Sequence, residues 1–276
     1  MESSSVMESS MDLWKPVGTV KIRVYKYNPR KDFAPGWKEY EIEVSRGTTI
    51  LDALLRIKEE TDPSLAFRYS CGQALCGSCA MMVNGRQMLI CRTRVLEVAK
   101  GGKIELRPLD NFPIIRDLAC DFKSFFDKHR AVKPWIIRKD VEELENPTGD
   151  YKQTIEEYAR YYQFTDCLKC GACYSACPTV ATDHEYLGPQ ALSQAYRYIV
   201  DTRDDGLEER IAVVDSDHGC WRCHFATSCS DVCPKYVDPA QGIQLLKKLI
   251  LRSKLGFKPH KPAEVLPSKI GEVKRG

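Results

Sequence analysis

Residues 166–180 read DCLKCGACYSACPTV, and residues 220–234 read CWRCHFATSCSDVCP. The first run separates Cys167, Cys170, Cys173 and Cys177 by two, two and three residues and closes on Pro178, the spacing of a bacterial ferredoxin. Three closely spaced thiolates let one short loop wrap three corners of an iron–sulfur cube. The fourth cysteine has by then entered a helix and points to a neighbouring cluster. The second run reciprocates: Cys233, followed by Pro234, closes the first cluster, while Cys177 joins Cys223 and Cys229 at the second. Three residues after Cys223, where the pattern requires another cysteine, stands Ala226. Alanine has no atom that ligates iron, so the second cluster is expected to be [3Fe-4S] rather than a cube. Cys220 leaves an alternative open. It can supply a fourth thiolate from the other side, or it can be a small buried hydrophobe, which is the commoner state of a cysteine outside a ligand pattern.

Zinc accounts for little of this pattern. Cys167/Cys170 with Cys220/Cys223 would make two C-x-x-C hooks for a tetrahedral site. That arrangement strands Cys173, Cys177, Cys229 and Cys233 and leaves both prolines unexplained.

A second cysteine set lies upstream, in RYSCGQALCGSCAMMVNGRQMLICR. Cys71, Cys76, Cys79 and Cys91 are separated by four, two and eleven residues, the plant-type [2Fe-2S] spacing with a distant fourth ligand. Gly72 and Gly77 let the backbone fold closely and aim amide hydrogens at sulfur. Asn84-Gly85 is a hairpin signal that returns Cys91 to Cys79. Around this set the periodicity is that of a sheet. Val20, Ile22 and Val24 alternate with polar neighbours, as do Tyr40, Ile42 and Val44, and Lys103–Leu106 supplies a last strand. Between them Thr49 and Asp52 form a capping box for a helix with Ile50, Leu51, Leu54 and Ile57 on its apolar stripe, broken at Asp62-Pro63. Two hairpins and a crossing helix make a β-grasp domain.

From Asp150 the period is helical: Ile155, Tyr158, Ala159 and Tyr162 on one face, then Ala191, Tyr196, Ile199 and Val200 on a helix opened by Gly188-Pro189. Leu207, Ile211 and Val214 mark a third helix, and Ile243, Leu246 and Ile250 a fourth beginning at Pro239. The expected class is therefore α+β, a β-grasp plant-type [2Fe-2S] ferredoxin domain followed by an all-α bacterial-type two-cluster ferredoxin domain. The expected boundaries are a disordered tail over 1–17, the first domain over 18–110, a connector over 111–149 with an amphipathic stretch at Phe122–Phe126, the helical domain over 150–251, and a basic tail over 252–276. Cys120 lies apart from every run and reads as a buried apolar cysteine.

At 276 residues two domains are the prior, and 43% hydrophobic with 29% charged residues is ordinary for a globular chain. Thirteen cysteines is not ordinary. An odd number in ferredoxin spacing argues for a reducing compartment and thiolates kept for metal rather than a disulfide framework. The start, MESSSVMESSMDLW, has the features of neither a signal nor a transit peptide, and no stretch approaches the roughly 20 apolar residues of a membrane span. Net charge is +3, with seven Lys/Arg against two Glu from Arg252 to Gly276. That tail reads as a solvated end or as a contact for anionic head groups or an acidic partner. Nucleic acid is not an expected partner, since the charge is modest and no binding module accompanies it.

The stretches FRYSCGQALCGSCAMMVNG, CLKCGACYSACP, LGPQALSQAYRYIVDTRD and CHFATSCSDVCPKYVDP, over roughly residues 18–250, resemble the iron–sulfur subunit of succinate dehydrogenase and fumarate reductase, the subunit of respiratory complex II. The resemblance implies [2Fe-2S] on Cys71, Cys76, Cys79 and Cys91, [4Fe-4S] on Cys167, Cys170, Cys173 and Cys233, and [3Fe-4S] on Cys177, Cys223 and Cys229. It implies electron relay between a flavoprotein subunit, which holds FAD and interconverts succinate and fumarate, and a quinone at a membrane-anchor subunit. The chain is then one subunit of an oxidoreductase whose dicarboxylate site lies elsewhere, peripheral on the cytoplasmic face of a prokaryotic membrane. It further implies that Pro178, His224 and Ala226 line the quinone pocket, where His224 would hydrogen-bond a quinone oxygen or pass a proton. Tryptophans that some succinate-oxidising members carry after the cysteine-proline are replaced by Ala181 and Thr182, which leaves quinone type and reaction direction open. His129, His184, His218 and His260 show no ligand spacing. Other readings are a fumarate reductase subunit working in reverse or with a thiol or other non-quinone donor, and a free-standing ferredoxin. The thiol-driven reading wants further cysteines after Cys233, and there are none.

Overall fold

Val20, Ile22 and Val24 are buried while Lys21 and Arg23 are exposed or half-exposed, as a strand with one solvated face requires. The computed structural model describes residues 14–261 and 263–267. Its chain divides into two compact units. The first comprises the chain up to Ser124 together with Leu168–Ala176 and Val232–Pro234; the second comprises Phe125–Cys167, Cys177–Asp231 and the chain from Lys235.

The first unit is built on a five-stranded mixed sheet of β1 (Pro16–Lys26), β2 (Gly36–Ser45), β3 (Ala80–Val83), β4 (Arg86–Leu89) and β5 (Lys103–Arg107), in the order β2-β1-β5-β3-β4. β1 and β2 pair antiparallel with Ile22 opposite Tyr40, β1 and β5 pair parallel with Ile22 opposite Ile104, and β3 pairs antiparallel with both β4 and β5. A parallel neighbour demands a crossover, and α1 (Ile50–Arg56) supplies it. Its capping box is complete: Asp52 N–H donates to the Thr49 hydroxyl oxygen at 3.1 Å, and Thr49 N–H donates to the Asp52 carboxylate at 2.9 Å. Ile50, Leu51, Ala53, Leu54 and Ile57 are buried against the sheet, which makes this stripe the main hydrophobic core of the unit. The hairpin turn at Asn84-Gly85 has positive φ at both residues, 49° and 81°, the combination that matches strand twist in a two-residue turn. The short helix α2 (Val95–Val98) precedes β5, and β6 (Ile114–Arg116) with β7 (Ala119–Cys120) forms a small ribbon.

α3 (Lys123–Ala131) and α4 (Val141–Glu145) occupy the stretch expected to be a connector, so it carries more structure than one amphipathic segment. The second unit is helical but not entirely so, because β8 (Gly149–Tyr151) pairs with β9 (Val265–Pro267). Two boundaries also shift: β1 begins at Pro16, and residues 252–254, expected in the tail, finish a helix. Residues 1–13 of the expected N-terminal tail and 268–276 of the basic tail lie outside the described residues.

One apolar face is not the one the periodicity suggests. α5 (Ile155–Ala159) opens on the Thr154/Glu157 capping box but stops after five residues, and α6 (Tyr162–Thr165) restarts beyond the non-helical Tyr161. The break cancels the 3.6-residue period across it. Ile155, Tyr158 and Tyr162 are left exposed, and Tyr161 and Phe164 are buried in their place. Further on come α7 (Ala172–Ser175) in the first unit and α8 (Pro178–Thr182), α9 (Gly188–Ile199), α10 (Leu207–Val214), α11 (Ser228–Asp231) and α12 (Pro239–Lys254) in the second. α9 packs on α12, burying Ala191, Leu192, Ala195 and Ile199 with Ile243, Leu246 and Ile250. At Gly242 a Cβ would come 2.8 Å from the Phe164 ring, so α12 fits there only without a side chain.

Candidate metal centres

Chain from Arg68 to Cys79 forms no regular ladder, and its amides turn toward sulfur instead. Ala74 N–H donates to Cys91 Sγ at 3.2 Å, Leu75 and Cys76 N–H to Cys71 Sγ at 3.3 Å, and Cys71 N–H to Cys76 Sγ at 3.5 Å. Aiming them inward takes positive φ at Gly72, Ala74 and Gly77. At Ala74 that costs about 1–2 kcal/mol, a strain glycine would avoid. Cys79 and Cys91 are buried, and burial with Cys91 alongside pushes the Cys79 thiol up to about 12. The Ser78 side chain and the amide hydrogen bonding at Cys71 pull Cys76 down to about 6. Four soft sulfur donors ringed by amide N–H groups suit a negatively charged iron–sulfur group and offer nothing to a hard cation.

Of the second set, Cys170, Cys173 and Cys233 belong to the first unit, and Cys167 ends a segment of the second. Leu168 and Cys170 pack against the sheet core. The closest approach is at Gly77, where a Cβ would lie 2.7 Å from Cys170 Cβ and 3.1 Å from the Leu168 carbonyl oxygen. The loop bearing Cys76 and Cys79 therefore sits directly on the loop bearing Cys170. Ser175 ties the same loop to β4 by accepting from Gln87 Nε2 at 3.1 Å, and Arg92 anchors the third segment by donating to the Pro234 carbonyl at 3.2 Å.

Cys177, Cys223 and Cys229 line one hollow in the second unit, the meeting that the spacing anticipates. Cys177 is the N-cap of α8, with Pro178 at its first turn; the Val180 and Thr179 amides donate toward its sulfur, while burial raises its pKa. Cys223 ends the 3₁₀ turn Cys220–Arg222, accepts from Phe225 N–H at its sulfur at 3.4 Å, and is held at its carbonyl by Lys247 Nζ of α12 at 2.9 Å. Phe225 and Thr227 both take positive φ, 58° and 59°, so the Cys223–Cys229 loop is wrapped tightly at a steric cost. Cys229 on α11 is buried, and that burial pushes its thiol up to about 12. Ala226, which offers no ligand atom, lines the same hollow.

Cys220 is fully buried and does not line this hollow; burial pushes its thiol up to about 11. Cys120 behaves alike, with its thiol near the Leu109 carbonyl at 3.8 Å. Pro178, His224 and Ala226 all line the hollow from its exposed side, with Phe225 beside them.

Two features escape sequence reasoning. Tyr186, at the end of the loop after α8, is fully buried among the three thiols, and burial followed by Cys223 and Cys177 raises its pKa. Nothing in the string EYLGP marks it. His218 makes a clamp with Asp183 at 2.9 Å and Glu185 at 2.9 Å, and Arg222 joins at Asp183 at 3.1 Å. The His218 hydrogen bond holds Asp183 down to about 2, and Asp183 in turn raises His218. The clamp ties α8 to the turn that ends at Cys223.

Comparison with known proteins agrees with this geometry. Residues 21–127 match the family described as a 2Fe-2S iron-sulfur cluster binding domain, and residues 163–237 match the 4Fe-4S dicluster domain. The fumarate reductase iron-sulfur subunit of Escherichia coli O6:H1 is 44% identical over 225 residues, covering 82% of this chain and 90% of that protein. The same subunit of Mycobacterium tuberculosis is 40% identical over 83% of this chain and 91% of its own length. The succinate dehydrogenase iron-sulfur subunit of Paracoccus denitrificans is 34% identical over 86% and 91%. Among solved structures, a chain of the Mycobacterium smegmatis Sdh1 complex in the apo form superposes with a TM-score of 0.72 at 26% identity, covering 86% of this chain and 97% of that one. With two iron–sulfur domains in this order and such identities over most of its length, the chain belongs to the iron–sulfur subunits of the succinate dehydrogenase and fumarate reductase family.

Proposed function

We propose that this chain relays electrons between an FAD-bearing dicarboxylate subunit and a membrane quinone. Cys71, Cys76, Cys79 and Cys91 would hold [2Fe-2S], Cys167, Cys170, Cys173 and Cys233 [4Fe-4S], and Cys177, Cys223 and Cys229 [3Fe-4S], with Cys220 left out of the ligand set. When bound, each group supplies a one-electron carrier. The protein's part is to hold the carriers close and in sequence. The observation that carries the reading is the packing of Gly77 on Cys170, which sets the first cysteine loop against the second. From Cys173 to Cys177 is then only four residues of chain, which span at most about 14 Å. The amides around Cys71 and Cys91 stabilise negative charge on sulfur, as do those that donate to Cys177 and Cys223.

Exposed Tyr69 and Leu75 flank the first loop and offer an apolar face to a flavoprotein partner. In the second unit Pro178, His224, Ala226 and the exposed Phe225 form the rim proposed to meet quinone and the membrane-anchor subunit. Among the described residues no helix is long and apolar enough to cross a membrane, so attachment to the cytoplasmic face of a prokaryotic membrane would run through that anchor.

Electron paramagnetic resonance on the anaerobic complex, oxidised and then reduced, tests the assignment. A full-occupancy [3Fe-4S] signal when oxidised is the expected result; its absence, with two interacting [4Fe-4S] centres on reduction, would make Cys220 a ligand and reopen the terminal acceptor. Co-purification with a larger flavoprotein separates a complex subunit from a free-standing ferredoxin. A second reading, physiological fumarate reduction, is favoured by the identities of 44% and 40% to proteins named fumarate reductase subunits against 34% to a succinate dehydrogenase subunit. Comparing succinate oxidation with quinol-driven fumarate reduction by the same preparation decides it.

A further inference from the structure

Tyr186 has no exposed surface, yet its hydroxyl makes no hydrogen bond of normal geometry with any protein atom among the described residues. Burying an O–H without an acceptor forfeits its hydration for nothing, and native structures avoid it unless something else accepts. The phenol is not there by accident of a loose loop. Its backbone N–H is held by the Asp183 carboxylate at 3.2 Å, the same carboxylate takes Glu185 N–H at 3.0 Å, and Leu187 N–H is tied to the His218 carbonyl at 2.9 Å. The ring is thus delivered rigidly into the hollow that Cys177, Cys223 and Cys229 also line. Pro189, Ala240 and Ile243 on the same lining are apolar, and none of its polar side chains, Thr179, His224, Thr227 or Ser228, accepts from the hydroxyl. At neutral pH a phenol is an O–H donor, and sulfur carrying negative charge is the acceptor the site would contain.

We propose that the Tyr186 hydroxyl donates a hydrogen bond to sulfur of the cluster held by Cys177, Cys223 and Cys229, and so keeps that cluster's reduction potential above the value the three thiolates alone would set. This rests on the [3Fe-4S] reading above. A donor to sulfur favours the reduced, more negative form, so losing it shifts the balance toward the oxidised form. Tyr186 acts on the carrier directly, with no contact to a dicarboxylate substrate.

The test is Tyr186→Phe in the complete, anaerobically purified complex, since phenylalanine fills the same space less one oxygen. The expected result is an oxidised [3Fe-4S] signal of unchanged intensity. Its reduction equilibrium should fall about tenfold, which is about 59 mV for a one-electron couple. A strongly coupled exchangeable proton, seen on the parent signal by comparing preparations in H2O and D2O, should disappear. An unchanged midpoint with the coupling retained overturns the proposal. A parent complex lacking the [3Fe-4S] signal overturns the cluster reading, and this inference falls with it. If the variant loses iron, absence of any exchangeable coupling on the parent signal is equally fatal.

Discussion

At position 226 a methyl group stands on the rim of the hollow that Cys177, Cys223 and Cys229 line. Ala226→Cys would return a sulfur to the place the ferredoxin spacing reserves for it, and the loop is already wound to receive one, with Phe225 and Thr227 at positive φ. The expected outcome is loss of the oxidised [3Fe-4S] signal and a gain of about one iron per chain, the difference between the two cluster types. Persistence of the signal at full intensity would mean that residue 226 does not face the open corner. Cys220→Ala is the matching control. Its thiol is buried and kept protonated by burial, so iron content and signal should be unchanged while stability falls by about 1 kcal/mol, the ordinary cost of a small buried truncation. That Cys220 does not line the hollow could not be read from spacing alone, because a C-x-x-C pair looks the same whether both thiols point into one site or one points into the core.

Among the elements, α10 shows where reading a sequence runs short. Its apolar residues Leu207 and Val214 were visible, but Arg210 is as fully buried as Val214. In a sequence an arginine between apolar positions looks like the solvated face of an amphipathic helix. Here its guanidinium is paired with buried Asp204 at 2.6 and 3.0 Å and donates to the carbonyls of Lys133 and Trp135 at 3.0 and 2.7 Å. Arg210→Met would strand Asp204 and those carbonyls in the interior, and a loss of about 3–5 kcal/mol is expected in denaturant melts. The broken α5–α6 pair was misread for a related reason, since the helix stops and restarts around a non-helical Tyr161 and no Gly or Pro announces it. The sheet and its capped helix were legible because alternation, a complete capping box and Asn84-Gly85 all point the same way. The clamp on α8 gives this scale a pH signature. Asp183 raises the His218 pKa in the folded state, so the clamp contributes fully below the unfolded value of about 6.5 and is lost as pH rises through the folded one. Stability measured across that window should fall with rising pH in the parent, and His218→Gln should flatten the slope.

For the whole molecule, cysteine spacing grouped Cys177, Cys223 and Cys229, which line one hollow, while the partition of the chain stayed hidden. Spacing assigns Cys167–Cys177 and Cys220–Cys233 to one two-cluster domain, yet Leu168–Ala176 and Val232–Pro234 belong to the unit built on the sheet. Ferredoxin patterning records which thiols share a cluster and says nothing of which core the intervening residues join. Leu168 and Cys170 join the sheet core, an apolar choice that spacing does not encode. This division predicts how iron removal acts. The sheet has an apolar core of its own, with Ile22, Ile50, Leu54 and Ile104 at or near zero exposure, which needs no metal to stay buried. The stretches 68–78 and 223–228 have less such support: most of their residues are exposed or half-buried, their amides point at sulfur, and Ala74, Phe225 and Thr227 hold strained dihedrals. Chelating iron under reducing conditions should therefore leave the amides of β1, β5 and α1 protected from hydrogen exchange. The segments 68–79 and 223–229 should lose protection and become the first sites of protease cleavage. Uniform loss of protection, with the sheet melting alongside the loops, would instead mean that the clusters hold the core of the fold itself.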